Sequence, residues 1–441
     1  MTKMKIFSSP MPAMFATDSM MLFLGILSGS LAARVLLPEG RGAVTAVLFW
    51  PQILAGIGLL SLDEAVTYRI GLNPEKGTRI AASAFWLALI LAGGTMAVGY
   101  LMIPVLLGEA HAHLWSLASW YLLYMPFHCI ALVLLAMDQG RLQFGRFNGF
   151  RLLWPLLYLA GIAGLWATDH VSVGWFVAVN AITVLCVGLL RLSFKTGEIL
   201  RRPSWEETRA LLRISLRFHP ANLLLLLAAQ VDVLVVLTLW DDKILGLYVI
   251  AVTIASSGLN IASGAYEKVL FPRVVQVRDR ASQLALLARG VRQATLLLVA
   301  ISLPLALLMP WVVPALFGES FREAIAPALI LLLAYIFIGL KNIMIQSLRG
   351  LGEGSPAYMA VAVSVGLFLA VAWPLGSSLG LWGVGLAMGV ANLGAVVYLA
   401  FLLHRRFRIH LSELWGLEPG TVGEIWQATA PLNPFIAKTI P

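Results

Sequence analysis

The sequence predicts an all-α membrane protein whose twelve transmembrane helices form two six-helix bundles related by a parallel repeat. Three observations predict this class. Apolar stretches of membrane-spanning length follow one another along most of the chain, basic residues are confined to alternate loops, and the second half repeats motifs of the first half.

The composition excludes an ordinary soluble domain. Hydrophobic residues make up 60% of the 441 residues, charged residues only 12%, and the mean hydropathy is +0.87. Soluble domains carry about twice that charged fraction. The net charge of +9 would suggest a nucleic-acid partner in a soluble protein. Here the charge lies on one side of a membrane, so it predicts contact with anionic membrane lipids and no nucleic-acid partner.

The helices are read from apolar stretches, because a membrane-spanning helix needs about 20 apolar residues. Short loops join the stretches. The predicted spans are 13–36, 43–68, 79–107, 114–137, 147–167, 171–194, 216–240, 244–271, 292–317, 324–349, 356–379 and 382–404.

The positive charges give the orientation. Of the 31 Lys and Arg residues, only Arg34, Arg41, Lys243 and Arg322 lie in odd-numbered loops or at the helix ends beside them. The positive-inside rule therefore places both termini in the cytoplasm. The loops predicted to lie outside are Pro38–Gly42, Glu109–His113, Asp169–His170, Asp241–Lys243 and Gly318–Glu323.

The longest inner loop, residues 195–215, joins the two halves. Ser204 followed by Glu207 is the pattern of a capping box, in which each side chain bonds the backbone of the other. We therefore expect a cytoplasmic helix to begin here and to lead into the seventh span.

An internal repeat relates the two halves. An offset of 204 places Gly42 on Gly246, and an offset of 210 places residues 104–109 on 314–319. Six spans are an even number, so both halves have the same orientation in the membrane. Parallel repeats of this kind are typical of transporters, with the substrate site between the halves near the midplane.

The domain prediction follows from this division. It consists of an N-terminal six-helix lobe (1–194), a cytoplasmic linker (195–215), a C-terminal six-helix lobe (216–404) and a cytoplasmic tail (405–441).

Several short motifs, taken together, resemble a known family. They are Arg34–Gly42, Gln230-Val-Asp232, Gly246–Tyr248 and Pro272-Arg273. In this order, with twelve spans and a repeat, they resemble the oligosaccharide flippases, the polysaccharide biosynthesis proteins. The similarity covers nearly all of residues 13–404. This family belongs to a superfamily that includes the multidrug and toxin extrusion antiporters and the lipid II flippases.

The resemblance implies two lobes around a central cavity and movement of a polyprenyl-diphosphate-linked oligosaccharide from the inner to the outer leaflet. It implies a multi-pass protein of the bacterial inner membrane, in lipopolysaccharide or capsule biosynthesis, beside a glycan polymerase or glycosyltransferases of the same pathway. Lipid II flippases usually have fourteen spans, and residues 409–441 are too polar for two more. The first span also lacks a deep basic residue before Arg34. Both differences from the lipid II flippases favour a lipid-linked oligosaccharide other than lipid II as the substrate.

Flipping breaks no covalent bond, so the expected site residues bind rather than react. Ionisable residues within membrane spans are costly and usually face a cavity or a partner. Asp232 lies near the middle of span seven, and Lys341 lies in span ten with Asn342 and Gln346 nearby. We predict that Asp232 faces the cavity and that Lys341 contacts the diphosphate. For Asp232 the alternative is a structural ion pair or hydrogen bond with another helix. For Lys341 the alternatives are a pairing with Asp232 and a side chain that reaches the inner interface.

Three more charges lie near helix ends. Asp18 enters span one where the extrusion antiporters place an ion-coupling acid, so the resemblance implies linkage to H⁺ or Na⁺; the alternative is a helix N-terminal acid. Arg151, at the start of span five, is placed to meet the substrate headgroup from the cytoplasm. Arg34, at the outer end of span one, is a candidate phosphate contact, gate residue or boundary charge.

Charges at the equivalent inner ends of spans two and eight are predicted to form an inner gate or a set of boundary charges, namely Asp63, Glu267 and Lys268. We predict no cofactor and no metal site, because the adjacent His128 and Cys129 point about 100° apart on a helix.

Two other functions compete with the flippase interpretation. A cation-coupled multidrug or small-molecule antiporter would need an acidic, aromatic cavity, which Asp232 fits, whereas a diphosphate needs a cation, which Lys341 fits. A membrane enzyme is disfavoured, because such enzymes usually carry a large outer loop or a catalytic His/Asp motif, and the outer loops here are short.

Overall fold

The computed structural model describes residues 11–194, 196–277 and 279–416, without the side chains of 267–273 and a few others. The described residues contain helices and no β-strand. The α-helices are α1 Met11–Gly58, α2 Leu62–Leu72, α3 Gly77–Leu107, α4 Trp115–Tyr121, α5 Met125–Gly140, α6 Phe144–Ala167, α7 Val173–Ser193, α8 Thr196–Ile199, α9 Trp205–Leu239, α10 Asp242–Gln276, α11 Arg280–Phe317, α12 Ile325–Gly350, α13 Gly354–Leu379, α14 Leu381–Phe407 and α15 Leu411–Trp415.

The described residues contain 11 segments long and apolar enough to cross a membrane. The first runs over 57 residues, from Ala16 to Leu72. A straight helix of that length would measure about 85 Å, nearly three times the hydrocarbon thickness. Leu37, with φ of 59°, breaks the helix immediately before Pro38. The segment therefore holds the first two predicted spans, and the prediction of an all-α membrane protein is confirmed.

The repeat is visible in matched breaks between helices. Gly108 and Gly318, related by the offset of 210, both have positive φ angles, 70° and 100°. Each is followed by a six-residue 3₁₀ turn, Glu109–Leu114 in the first half and Glu319–Ala324 in the second. Glycine adopts positive φ without a steric penalty, so it ends the preceding helix at both places.

Repeat-related glycines also meet directly. A Cβ atom on Gly42 of α1 would overlap the carbonyl oxygen of Asp242, and one on Gly246 of α10 would overlap the carbonyl oxygen of Pro38. These contacts are reciprocal, because the offset of 204 relates Pro38 to Asp242 as well. Reciprocal contacts are what a two-fold axis produces. The part of α1 that follows the break at Leu37 and the first turns of α10 therefore touch through equivalent residues.

Adding one methyl group at this crossing should force the two helices apart. We expect Gly42→Ala to lower the melting temperature of the purified protein by several degrees, in line with the ~1–3 kcal/mol that overpacking usually costs. Gly93→Ala in α3 is the matched control, since nothing lies within 4 Å of a Cβ there. Equal melting temperatures for the two variants would contradict the close crossing.

By its contacts the described chain separates into two compact units. The first contains the residues up to Ile250 together with Val313–Ala324, and the second contains Ala251–Val312 and the residues from Ile325 onward. Helices α10 and α11 contribute residues to both units. The boundaries predicted for the two lobes stay a prediction.

Ion pairs attach the predicted linker to α5 and α2, two helices of the first unit. Arg141, at the end of α5, forms a two-pronged pair with Glu198 of α8 at 2.6 and 3.1 Å. Arg69 of α2 pairs with the buried Glu207 at 3.0 Å. Helix α9 begins at Trp205 beside Ser204, as predicted, but the Ser204 side chain makes no capping hydrogen bond. The capping box is wrong, because Glu207 binds Arg69, a stronger charge-assisted partner than the helix backbone.

The orientation of the chain stays a prediction, which labelling can test. In a background with Cys129 and Cys186 replaced by serine, we expect a membrane-impermeant maleimide added outside to label Glu39→Cys and not Arg201→Cys. Both positions are exposed, so exposure does not bias the comparison. Labelling of Arg201→Cys in intact cells would overturn the predicted topology.

Candidate functional site

Lys341 lies in a buried polar cluster formed by α12, α13 and α14. Its ammonium donates to Asn392 Oδ1 at 2.8 Å and, more weakly, to Ser364 Oγ at 3.5 Å. Asn392 donates its own amide hydrogen to Met388 O, and Ser364 donates to Val361 O. Both partners therefore act as acceptors towards the lysine, through oxygen lone pairs.

No carboxylate pairs with Lys341 among the residues that the structure describes, although the side chain is only 7% exposed. A lysine ammonium has three hydrogens, and the two neutral oxygens engage two of them. The cluster therefore holds a positive charge with one remaining donor, an arrangement suited to an anionic group.

The structure brings together Asp18 and Arg151, for which the sequence analysis predicted separate roles. Arg151 Nη2 donates to Asp18 Oδ1 at 2.7 Å. The guanidinium also lies 5.2 Å from the ring centroid of Phe147, one turn earlier in α6. Both side chains of the ion pair are partly exposed, so an anionic ligand can compete with Asp18 for Arg151.

Arg34 lies in α1, three residues before the break at Leu37, and binds backbone oxygens. Its Nε donates to Leu316 O at 2.9 Å, and its Nη2 donates to Ala315 O. The last carbonyl groups of a helix lack partners within the helix. Arg34 therefore caps the end of α11, which favours a gate or boundary role over a phosphate contact.

Asp232 is buried and accepts a hydrogen bond from the Tyr248 hydroxyl at 2.9 Å. The two motifs that resembled the flippase family in this region thus meet through their polar residues. Asp232 is only 2% exposed, so the described structure favours the structural alternative for this residue. Its predicted cavity-facing role stays a prediction.

The other predicted residues do not join these clusters. Gln346 accepts a hydrogen bond from Arg349, one turn further along α12, and no described hydrogen bond links Asn342 to Lys341. Asp63 lies in the first turn of α2, where a carboxylate stabilises the helix terminus. The side chains of Glu267 and Lys268 lie outside the described residues, so the inner gate stays a prediction.

The sequence analysis missed a buried ion pair between α5 and α7. Arg191 Nη2 donates to Asp138 at 2.8 Å, with side chains 2% and 1% exposed. The guanidinium also lies 4.4 Å from the ring centroid of Phe150. Two opposite charges at the inner ends of predicted spans were the available signal, but the topology rule explained Arg191 without a partner.

The described residues contain no group of three or more metal-binding side chains in a suitable arrangement. The helices define a multi-pass membrane protein, and solved structures of MOP superfamily transporters share its fold. An inward-facing multidrug resistance MATE family transporter aligns with a TM-score of 0.72 at 17% identity, covering 87% of this chain and 94% of that one.

Two further solved structures show the same fold. The lipid II flippase MurJ, in an inward closed conformation, aligns with a TM-score of 0.73 at 13% identity, covering 97% of this chain and 94% of that one. A MOP superfamily transporter from Pyrococcus furiosus, described as having a binding pocket of reverse polarity, aligns with a TM-score of 0.58 at 16% identity, covering 88% of this chain and 94% of that one. A search of curated proteins gave no match.

The chain belongs to the polysaccharide biosynthesis protein family, whose model matches residues 32–326. The matched region runs from the first span to the first residues of α12. The family resemblance drawn from short motifs is therefore confirmed.

Proposed function

We propose that the protein is a flippase that moves a polyprenyl-diphosphate-linked oligosaccharide from the inner to the outer leaflet for cell-surface polysaccharide synthesis. The observation that carries the proposal is the buried Lys341, whose described partners are neutral oxygens. A diphosphate is the anion of such a substrate, and Lys341 would contact it. Family membership supports the link to polysaccharides.

The alternative is a cation-coupled antiporter of small molecules. One similar structure is a multidrug resistance transporter and another is a lipid II flippase, so the fold is compatible with both substrate classes. A cationic drug would need a free buried carboxylate. Asp232 is held by Tyr248, whereas the charge of Lys341 lacks an acidic partner among the described residues. The contrast favours the anionic substrate.

Ligand stabilisation of the purified full chain separates these functions. A ligand at a hundred times its Kd stabilises a folded protein by about 2.7 kcal/mol. We expect a polyprenyl diphosphate carrying N-acetylglucosamine to raise the melting temperature, and the matched polyprenol without diphosphate to leave it unchanged. Stabilisation by ethidium, with none by the diphosphate lipid, would contradict the proposal and support the antiporter.

The Asp18–Arg151 pair offers a route for ion coupling within this function. Arg151 would meet the headgroup from the cytoplasm and exchange its carboxylate partner for the diphosphate. The released Asp18 would then take up H⁺ or Na⁺, so that substrate and ion occupy the site in turn. The 2.7 Å contact and the partial exposure of both side chains support this exchange.

Removing the Asp18 charge should therefore uncouple flipping from the ion gradient. We expect Asp18→Asn to bind the lipid-linked sugar at least as well as the wild type, because Arg151 loses its competitor. Flipping in proteoliposomes should no longer respond to an imposed pH or Na⁺ gradient. A variant that responds to both gradients as the wild type does would refute a coupling role for Asp18.

A further inference from the structure

A buried histidine joins three elements at the end of the bundle that is predicted to lie outside. His111 lies in the 3₁₀ turn between α3 and α4 and is 0% exposed. Its Nδ1 lies 2.8 Å from Asp242 Oδ1, at the start of α10, and its Nε2 lies 3.0 Å from Leu237 O, near the end of α9. One imidazole ring therefore holds the turn to both helices.

Both ring nitrogens of His111 face acceptors. A carbonyl oxygen only accepts hydrogen bonds, so Nε2 carries a hydrogen, and an ionised carboxylate also only accepts, so Nδ1 carries one too. A neutral imidazole has one N–H and would turn a lone pair towards an oxygen. If the hydrogen between the two side chains lay on Asp242 Oδ1 instead of His111 Nδ1, the pair would hold the same number of protons. In this arrangement the His111–Asp242 pair holds one proton more than a neutral histidine and a carboxylate.

The repeat shows that packing at this position does not require an ionisable residue. The offset of 210 places His111 on Phe321, in the equivalent 3₁₀ turn. Phe321 is also 0% exposed. An apolar ring thus fills the same position in the second half, and the histidine adds the ability to bind a proton.

Neighbouring charges favour the cationic ring. The hydrogen bond to Asp242 favours the cationic ring and outweighs burial, which disfavours it, and Asp241 adds a smaller effect at longer range. His113 also donates to Asp242, through Nε2 at 3.0 Å, but its side chain is 62% exposed. Only one nitrogen of His113 is engaged in this contact, so a neutral tautomer satisfies it.

The other charged residues near the turn include both acidic and basic side chains. Lys243 follows Asp242 and forms a pair with Glu323 at 3.4 Å. The turn itself carries Glu109, and the hairpin of α1, which packs against the turn, carries Glu39 and Arg41.

We propose that His111 and Asp242 form a proton-binding site that holds α9 and α10 against the turn between α3 and α4. Proton uptake stabilises this closed arrangement, and proton release permits the three elements to separate. We call this contact of His111 and Asp242 the latch. Because the predicted topology places the pair outside, protons from the outer compartment control the latch. The inference goes beyond the proposed function, since it holds whatever the substrate is.

The pH dependence of opening tests the latch. Leu245, in the first turn of α10, is fully buried, so Leu245→Cys should react with a maleimide only when α10 moves away. The full chain, with Cys129 and Cys186 replaced by serine, is labelled from pH 5.5 to 8.5. When one proton is released on opening, the opening equilibrium rises at most about tenfold per pH unit.

His111→Phe is the informative variant, because the repeat already places phenylalanine at the equivalent position. It also corrects for the pH dependence of the maleimide reaction itself. We expect labelling of the His111 protein to rise with pH by about tenfold or more beyond the rise in His111→Phe, and Asp242→Asn to behave like His111→Phe. His113→Gln should keep the wild-type dependence. Identical pH profiles for the wild-type residue and His111→Phe, or loss of the dependence only in His113→Gln, would overturn the proposal.

Discussion

Replacing Lys341 with alanine is expected to abolish glycan flipping while leaving the protein folded in the membrane. The substitution removes the cation but keeps Asn392 and Ser364, each of which donates a hydrogen bond to a carbonyl group of its own helix. A hydrogen bond to a charged group contributes about 1.5–3 kcal/mol. We therefore expect the affinity for the diphosphate lipid to fall about ten- to a hundredfold, with the amount of protein in the membrane unchanged.

Two further substitutions sharpen this prediction. Lys341→Arg should retain part of the activity, since a cation remains with a different geometry. Lys243→Ala is the matched control, because it removes a lysine whose ion pair with Glu323 is exposed, and such pairs contribute little. Normal glycan flipping by Lys341→Ala would contradict the proposed contact between Lys341 and the diphosphate. The lysine would then have only a structural role in its cluster.

Asp138→Ala should lower the stability of the protein more than Gly42→Ala or Lys341→Ala does. It leaves Arg191, 2% exposed, without its charged partner between α5 and α7. Breaking a buried ion pair from one side costs about 3–5 kcal/mol. The measurement is the unfolding free energy of the purified protein in mild detergent, compared with that of the wild type.

The double substitution Asp138→Leu with Arg191→Met tests the cause of the stability loss. It shows whether the loss comes from the missing attraction between the two charges or from the unpaired charge of Arg191. Replacing both partners of a buried pair with apolar residues is often neutral or stabilising, so most of the loss should be recovered. A single Asp138→Ala variant as stable as the wild type would show that the pair is not a stabilising contact.

The fold was largely predictable, because hydropathy and charge sorting report directly on membrane crossings. The break at Leu37 falls where Pro38 and the outer loop predicted a turn. A second break was missed: α1 ends at Gly58, and Leu60 and Ser61 have positive φ angles before α2 begins. Neither residue is one that favours this conformation, so tertiary packing fixes it and the local residues carry no signal for it.

The partners of the site residues were less predictable than the residues themselves. Lys341 was identified by the cost of a charge within a span, but Asn392 and Ser364 come from two other helices. Likewise, Asp18 and Arg151 lie 133 positions apart in the chain. Periodicity indicates which face of a helix a residue occupies, but not which helix packs against that face.

Flipping in proteoliposomes tests the central claim most directly. The probe is a polyprenyl diphosphate whose attached sugar carries a fluorophore that dithionite reduces only in the outer leaflet. With wild-type protein we expect dithionite to reduce nearly all of the probe, because flipping continually supplies the outer leaflet, and with Lys341→Ala we expect only the outer-leaflet fraction to react, as in protein-free vesicles. Equal reduction in wild-type and protein-free vesicles would contradict the account.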